Sequence, residues 1–311
     1  LKKLSKIEQI VSLSNCDQKS FFKLIKDHRR TPDNLTPYIS VNGIRYDGGE
    51  MLSGWATYFK QLATPKENPV FDAEYARGVK LKIEIISQIE ASKMKPHPIE
   101  ESEVVKAIKS LKSGKACDKA GLCSEHLKHA IHHISQPITE IMKKIHQNEL
   151  VPQMFKHGVI SPILKKGKIM YLPDSYRRIT VAATTGKILE KLVNPTIDDA
   201  MDTRQSPMQR GFTTGSSSCN AALLYTEALA EATDTGTTLY TTMLDASKAF
   251  DVVAHDNLLV DLYDHGIDGI HWKLMLDWYR GIQAQVKWGG HLSRTISEQV
   301  GLRQGGGFST I

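Results

Sequence analysis

The amino-acid sequence predicts an α+β fold. Three observations carry that reading. Helical periodicity dominates the first half of the chain. Apart from one early hairpin signal, short β-prone arms bounded by turn residues begin near residue 158. From there strands and helices mix, without the regular alternation of a parallel doubly wound sheet. A length of 311 residues suits two domains, or one large domain with an extension. The apolar fraction, 41 %, can build a sizeable core. No apolar run approaches the length needed to span a bilayer. The opening "LKKLSKIEQIV" reads as a charged amphipathic helix, not a signal peptide, and the first residue, Leu1, suggests a fragment or a processed chain.

The elements follow in order. Residues 1 to 28 read as helix. "YISVNGIRYDG" sets Asn42-Gly43 between two β-prone arms, the signal of a type I′ hairpin. Two amphipathic helices follow, near 49 to 62 and 73 to 92. "KMKPHPIEES" is a Pro-broken linker and the best domain boundary. "EESEVVKAIKSLKSGKA" is a helix with acids in its first turn and Gly114 near its end. Ser124 is the expected N-cap of the next helix, where Leu127, Ala130, Ile131 and Ile134 fall on one face; Ile138, Ile141, Met142 and Ile145 repeat that pattern one helix on. "GVISPILKKGK" and "YRRITVAAT" are strand-like arms around a basic turn, expected to be disordered. Helices are expected near 185 to 200, with Pro195 bending or ending one, and near 217 to 233. An alternating run, Leu239 to Leu244, reads as a half-buried strand ending at Asp245. Helices near 256 to 264 and 269 to 281 precede a hairpin around Gly289-Gly290 and a flexible Gly-rich loop.

Charge and cysteines narrow the classes. The formal charge is +6, and between Lys165 and Lys191 seven Lys or Arg face two acids. Such a segment is a candidate for phosphate contact; a solvated basic surface is the plainer reading. Cys16, Cys117, Cys123 and Cys219 are too scattered for a secreted disulfide framework, which points to a reducing, intracellular compartment. Cys117, Cys123, His126, His129 and His133 lack the spacing of a zinc module and read as a helix with exposed histidines. "GLRQGGG" lacks the Lys-Ser/Thr of a P-loop and does not fit G-x-G-x-x-G.

"LDASKAFDVVAHDNLL" is more specific. An Asp at a strand end is ordinarily a turn or cap residue. Here an aromatic follows five residues on and a second Asp after it. Two divalent ions about 3.5–4 Å apart can drive in-line nucleotidyl transfer, and such hard cations need carboxylate oxygens. A strand can aim one carboxylate, the next carbonyl can add an oxygen, and an aromatic can wall the sugar of a nucleotide. Asp245, Ala246 and Phe250 match that order.

The sequence resembles the reverse transcriptases of non-LTR, LINE-like retrotransposons over most of its length. "SLKSGKACDKAGLCSEHLKHA" is similar to the segment before the fingers, with Ala120 where the pattern has Asp. "ISPILKKGK" and "LPDSYRRIT" resemble the fingers strands, with Arg178 for Pro. "QRGFTTGSSSCNAALL" and "LDASKAFDVVAHDNLL" resemble the next two motifs. "GLRQGGGFST" is similar to G-x-P-Q-G-x-x-x-S, with Arg303 for Pro.

The resemblance implies a right-hand polymerase: a helical N-terminal extension over 1–95, then fingers and partial palm over 96–311, without the Asp-Asp hairpin or the thumb. It implies RNA-directed DNA polymerisation with Mg²⁺, by a chain incomplete and inactive alone. Asp245 would bind metal catalytically and Ala246 would add its carbonyl. Phe250 would gate the ribose, Gln304 and Gly305 would line the nucleotide pocket, and Arg177 would hold the triphosphate. Lys165 and Lys166 would meet template or phosphates. Asp251 would be structural, capping a helix or pairing with a Lys. The implied partners are an RNA template, a DNA primer or target, and dNTPs, with no membrane. The implied compartment is the nucleus, with cytoplasm as the alternative. Two rivals stay open: a non-catalytic nucleic-acid-binding remnant of a decayed element, which the Ala120 and Arg303 departures would fit, and another right-hand polymerase such as a group II intron maturase.

Overall fold

The computed structural model describes residues 36–66, 72–92, 99–202, 205–213 and 215–310. The helix expected over 1 to 28, Cys16 and the core of the Pro-broken linker lie outside them. The chain is α+β, as its patterning predicts.

Strands β1 (Tyr38–Val41) and β2 (Ile44–Asp47) form the expected antiparallel hairpin. Asn42 and Gly43 both take positive φ, 52° and 81°, which a type I′ turn requires. Helix α1 (Met51–Leu62) follows. Its Trp55 stacks on Phe59, with ring centroids 5.7 Å apart, and meets Tyr176 edge-on at 4.9 Å. Around this aromatic group Ile39 and Val41 of the hairpin share one core with Ile160, Ala284, Val286 and Ile296. Those last four lie on the main sheet, which runs β4 (Tyr176–Ala182), β3 (His157–Leu164), β5 (Gln283–Trp288), β6 (His291–Leu292), with β7 (Ile296–Ser297) also on β5. β3 pairs antiparallel with β4 and parallel with β5. The β3–β4 connection is not the disordered turn expected. Lys165 N–H donates to Ser175 O at 2.9 Å, and Tyr171 stacks on Tyr38 of the hairpin at 5.4 Å. Contacts from a distant segment hold it.

A second, helical core lies apart from the aromatic one. It gathers α2 (Ala73–Ala91), α3 (Glu101–Ser110), α4 (Ser124–His129), α5 (Ile131–Asn148), α6 (Thr184–Asp202), α8 (His255–Asp264) and α9 (Gly269–Tyr279), the intervening α7 being Ser218–Asp234. Helix α2 is joined to α9 by buried Glu90, which accepts from Gly269 N–H at 2.6 Å.

Several local expectations change. α3 ends at Ser110 with Leu111 already extended, so Gly114 does not cap it. Cys123, not Ser124, is the N-cap of α4. Ser124 is buried as the first helical residue, and His126 accepts from Cys123 N–H at 3.3 Å. α5 runs unbroken through Pro137, and α6 through Pro195. In α6, Ile188, Leu189, Val193 and Ile197 are buried on both sides of the proline. Their packing outweighs its cost of about 3 kcal/mol. Leu239 to Leu244 is not a strand. The run is irregular and exposed, and no strand among the described residues pairs with it. Alternating side chains suit a sheet face, but a strand exists only where a neighbour takes its N–H and C=O groups.

Candidate functional site

The Gly-rich loop after β7 is strapped in place, not flexible as expected. Gly301 N–H donates to Val253 O at 2.8 Å, and Leu302 N–H to Phe250 O at 2.6 Å. His255 Nε2 lies 2.9 Å from Gly301 O. On the other side Thr180 N–H, on the outer edge of β4, donates to Gln304 O at 3.0 Å. Further on, Gly307 N–H donates to Glu190 Oε2 of α6 at 2.8 Å. Glycine is required at 301. Its φ is +89°, and a Cβ there would stand 2.8 Å from Asp251 O.

Beneath the loop lies a group of buried ions. Arg178 pairs with Glu298 and lies 3.7 Å from Asp251 Oδ1. Arg303 Nε donates to Glu298 Oε2 at 3.1 Å, and its Nη2 donates to Lys156 O and to Gln283 O, the latter at 2.8 Å. Burial lowers both guanidiniums to about 10, so both stay charged at neutral pH. Burial raises the Asp251 carboxyl, against the pull of Arg178. Burial also raises Glu190, to about 7, against the Gly307 N–H and Arg303. Desolvation lowers His255 and favours its neutral ring.

The expected site residues divide into two sets. Phe250 is half-buried, its ring edge-on to Phe212 at 6.2 Å. The backbone bonds above bring its segment, the Gln304–Gly305 loop and β4 together. Arg177, on β4, is exposed, since strand alternation turns Arg178 inward. Lys166 is exposed, while Lys165 donates to Asp174 O at 3.0 Å. Asp174 also accepts from Lys248 at 2.6 Å and from Tyr58 at 2.7 Å, and these bonds hold its carboxyl below the usual range. Asp245 and Ala246 stand apart. Both are exposed, and Asp245 has no ion pair among the described residues. Asp251 does not cap a helix: α8 begins only at His255, and the partner is Arg178 rather than a Lys.

Among the described residues no three His, Cys, Asp or Glu gather as a metal site. The residues present therefore do not by themselves fit a two-ion centre: one exposed carboxylate is too few oxygens.

Sequence reasoning missed Glu298 and Glu190. Neither lies in a recognisable motif. Arg178 and Arg303 did leave a signal, as departures from the pattern, but not one that named a shared partner.

A β-arm pair, an aromatic-acid step and a strapped Gly-rich loop converge here within one stretch of chain, and that stretch has a family. Residues 163–311, just under half the sequence, match the family described as "Reverse transcriptase (RNA-dependent DNA polymerase)". Residues 163–311 are thus similar to reverse transcriptases, and two curated relatives are similar over more of the chain. It is 26% identical over 245 residues to "Probable RNA-directed DNA polymerase from transposon BS" of Drosophila melanogaster, covering 77% of this chain and 26% of that protein. It is 25% identical over 210 residues to "Probable RNA-directed DNA polymerase from transposon X-element" of the same organism, covering 67% and 23%. The chain spans about a quarter of the length of these curated relatives. No helix of the described residues is long and apolar enough to cross a membrane.

Proposed function

We propose that the chain forms the fingers and first part of the palm of a retrotransposon reverse transcriptase, behind an N-terminal extension over 1–95, and that the parent protein copies RNA into DNA. The observation that carries this reading is the double strapping of the Gly-rich loop, to Phe250 on one side and to β4 on the other. It supports a pocket in which the Phe250 ring walls the sugar and excludes a 2′-hydroxyl. Gln304 and Gly305 line that pocket, and Gly305 lets the loop close onto Thr180 O of β4, 3.1 Å from where a Cβ would stand. Arg177 takes the triphosphate, and Lys165 and Lys166 meet template or phosphate.

Asp245 and Ala246 would supply two oxygens to a Mg²⁺ site that needs further carboxylates. The substrates are an RNA template, a DNA primer or target, and dNTPs, and the parent element works in the nucleus. The protein's part is positioning and charge stabilisation at a phosphoryl centre.

The test is RNA-templated primer extension by a form of the chain extended through an Asp-Asp hairpin and thumb. Asp245→Asn should abolish synthesis. Phe250→Ala should raise ribonucleotide over deoxyribonucleotide incorporation. A ratio that stays put makes Phe250 a packing residue and removes the pocket.

A further inference from the structure

Each of three candidate pocket residues is the chain neighbour of a buried ion. Arg177 precedes Arg178, Phe250 precedes Asp251, and Gln304 follows Arg303. Arg178 and Arg303 come from separate segments and meet at Glu298, and Asp251 of a third segment lies 3.7 Å from Arg178. Glu298 is 4 % exposed, Arg178 3 % and Arg303 7 %. Its two carboxylate oxygens are divided, Oε1 to Arg178 and Oε2 to Arg303. The main sheet anchors Glu298 itself, since its N–H donates to Ile282 O at 3.0 Å, just beside β5.

We propose that Glu298 is a positioning residue for the nucleotide pocket: its single carboxylate, shared by Arg178 and Arg303, sets the register of the segments that carry Arg177, Phe250 and Gln304. The inference rests on the nucleotide-site reading above. Its physics is simple. Two buried guanidiniums repel each other and need a common anion. Strand alternation turns the neighbour of a held, inward Arg178 outward, which sets the side of β4 from which Arg177 leaves. Arg303 is further tied to Lys156 O and Gln283 O, so the residue after it inherits little freedom. A pocket held by locked neighbours keeps its geometry before the ligand arrives. The two arginines stand where the resembled pattern has proline. The pair reads as a matched replacement around one acid, not as unrelated damage.

The experiment titrates the full 311-residue chain with a fluorescent deoxyguanosine triphosphate and Mg²⁺. Glu298→Gln should weaken binding about tenfold or more while circular dichroism shows a folded protein. Where Glu298→Gln does not fold, the quadruple variant Arg178→Met, Arg303→Met, Glu298→Gln, Asp251→Asn takes its place. It removes all four charges together, and it should fold yet bind as weakly. Affinity of either folded variant within about twofold of the parent overturns the positioning role and leaves the nucleotide site standing. An unmodified chain that binds no deoxynucleotide at millimolar concentration overturns the nucleotide site, and the positioning role with it.

Discussion

Residues 301–308 hold most of one motif of the resembled family and residues 237–246 the run that leads into another, up to Asp245 and Ala246, and they are built in opposite ways. The first stretch is tied by hydrogen bonds to α6, to β4, to the Phe250–Val253 step and to His255, and it covers buried ions. The second is exposed along its length; Tyr240 is 90 % and Leu244 95 % exposed. Both are rich in residues that could order them. The difference is that one has partners brought from elsewhere in the chain. A motif specifies side chains, and anchoring specifies where they stand.

The comparison can be broken most directly by truncating one apolar side chain in each stretch. Phe308 is buried edge-on against Trp278, with ring centroids 5.3 Å apart. Phe308→Ala should cost about 3–5 kcal/mol in urea denaturation. Leu244→Ala should stay within about 0.5 kcal/mol. Equal costs would mean that 237–246 is packed in solution.

Glycine substitutions sharpen the same contrast at the backbone. Gly301→Ala meets both a positive φ and Asp251 O, and should cost about 3 kcal/mol. Gly236→Ala, just before the exposed run, meets only the positive φ of +66°, with nothing within 4 Å, and should cost about 1 kcal/mol. A thermal melt of each variant measures the gap.

The remaining effect is spread over several pH units, as a slope. The raised value of Glu190 means that the folded protein keeps this proton to higher pH than the unfolded chain does. The stability tied to it is complete below the ordinary carboxylate range and is lost as pH rises through about 7. Glu190→Gln should remove that dependence, which is at most about 1.4 kcal/mol per pH unit. Denaturant midpoints at about pH 5 and about pH 8, compared with the parent chain, measure it. An unchanged slope would place the Gly307 anchor in water and weaken the case for a buried loop.

Much of the fold was legible in the residues alone. Asn42-Gly43 specified its hairpin because both positions tolerate positive φ. The helices over 51–62, 73–91, 218–234 and 269–279, and the β3–β4 arms, followed from periodicity. The motif order pointed to the reverse-transcriptase class, which the family match and the relatives bear out. These features depend on a residue and its near neighbours, so a linear reading reaches them.

Other features needed the tertiary structure. Leu239 to Leu244 has the right alternation and no partner, so it is no strand. Pro137 and Pro195 sit inside helices because apolar packing on both sides holds the turn. The sharing of Glu298 by Arg178 and Arg303 joins positions 178, 298 and 303, which no local pattern connects. Strand pairing, helix tolerance and ion burial are all set by groups that meet only after the chain has folded. Their free energy depends on the distance between side chains in space, and separation along the sequence does not encode it.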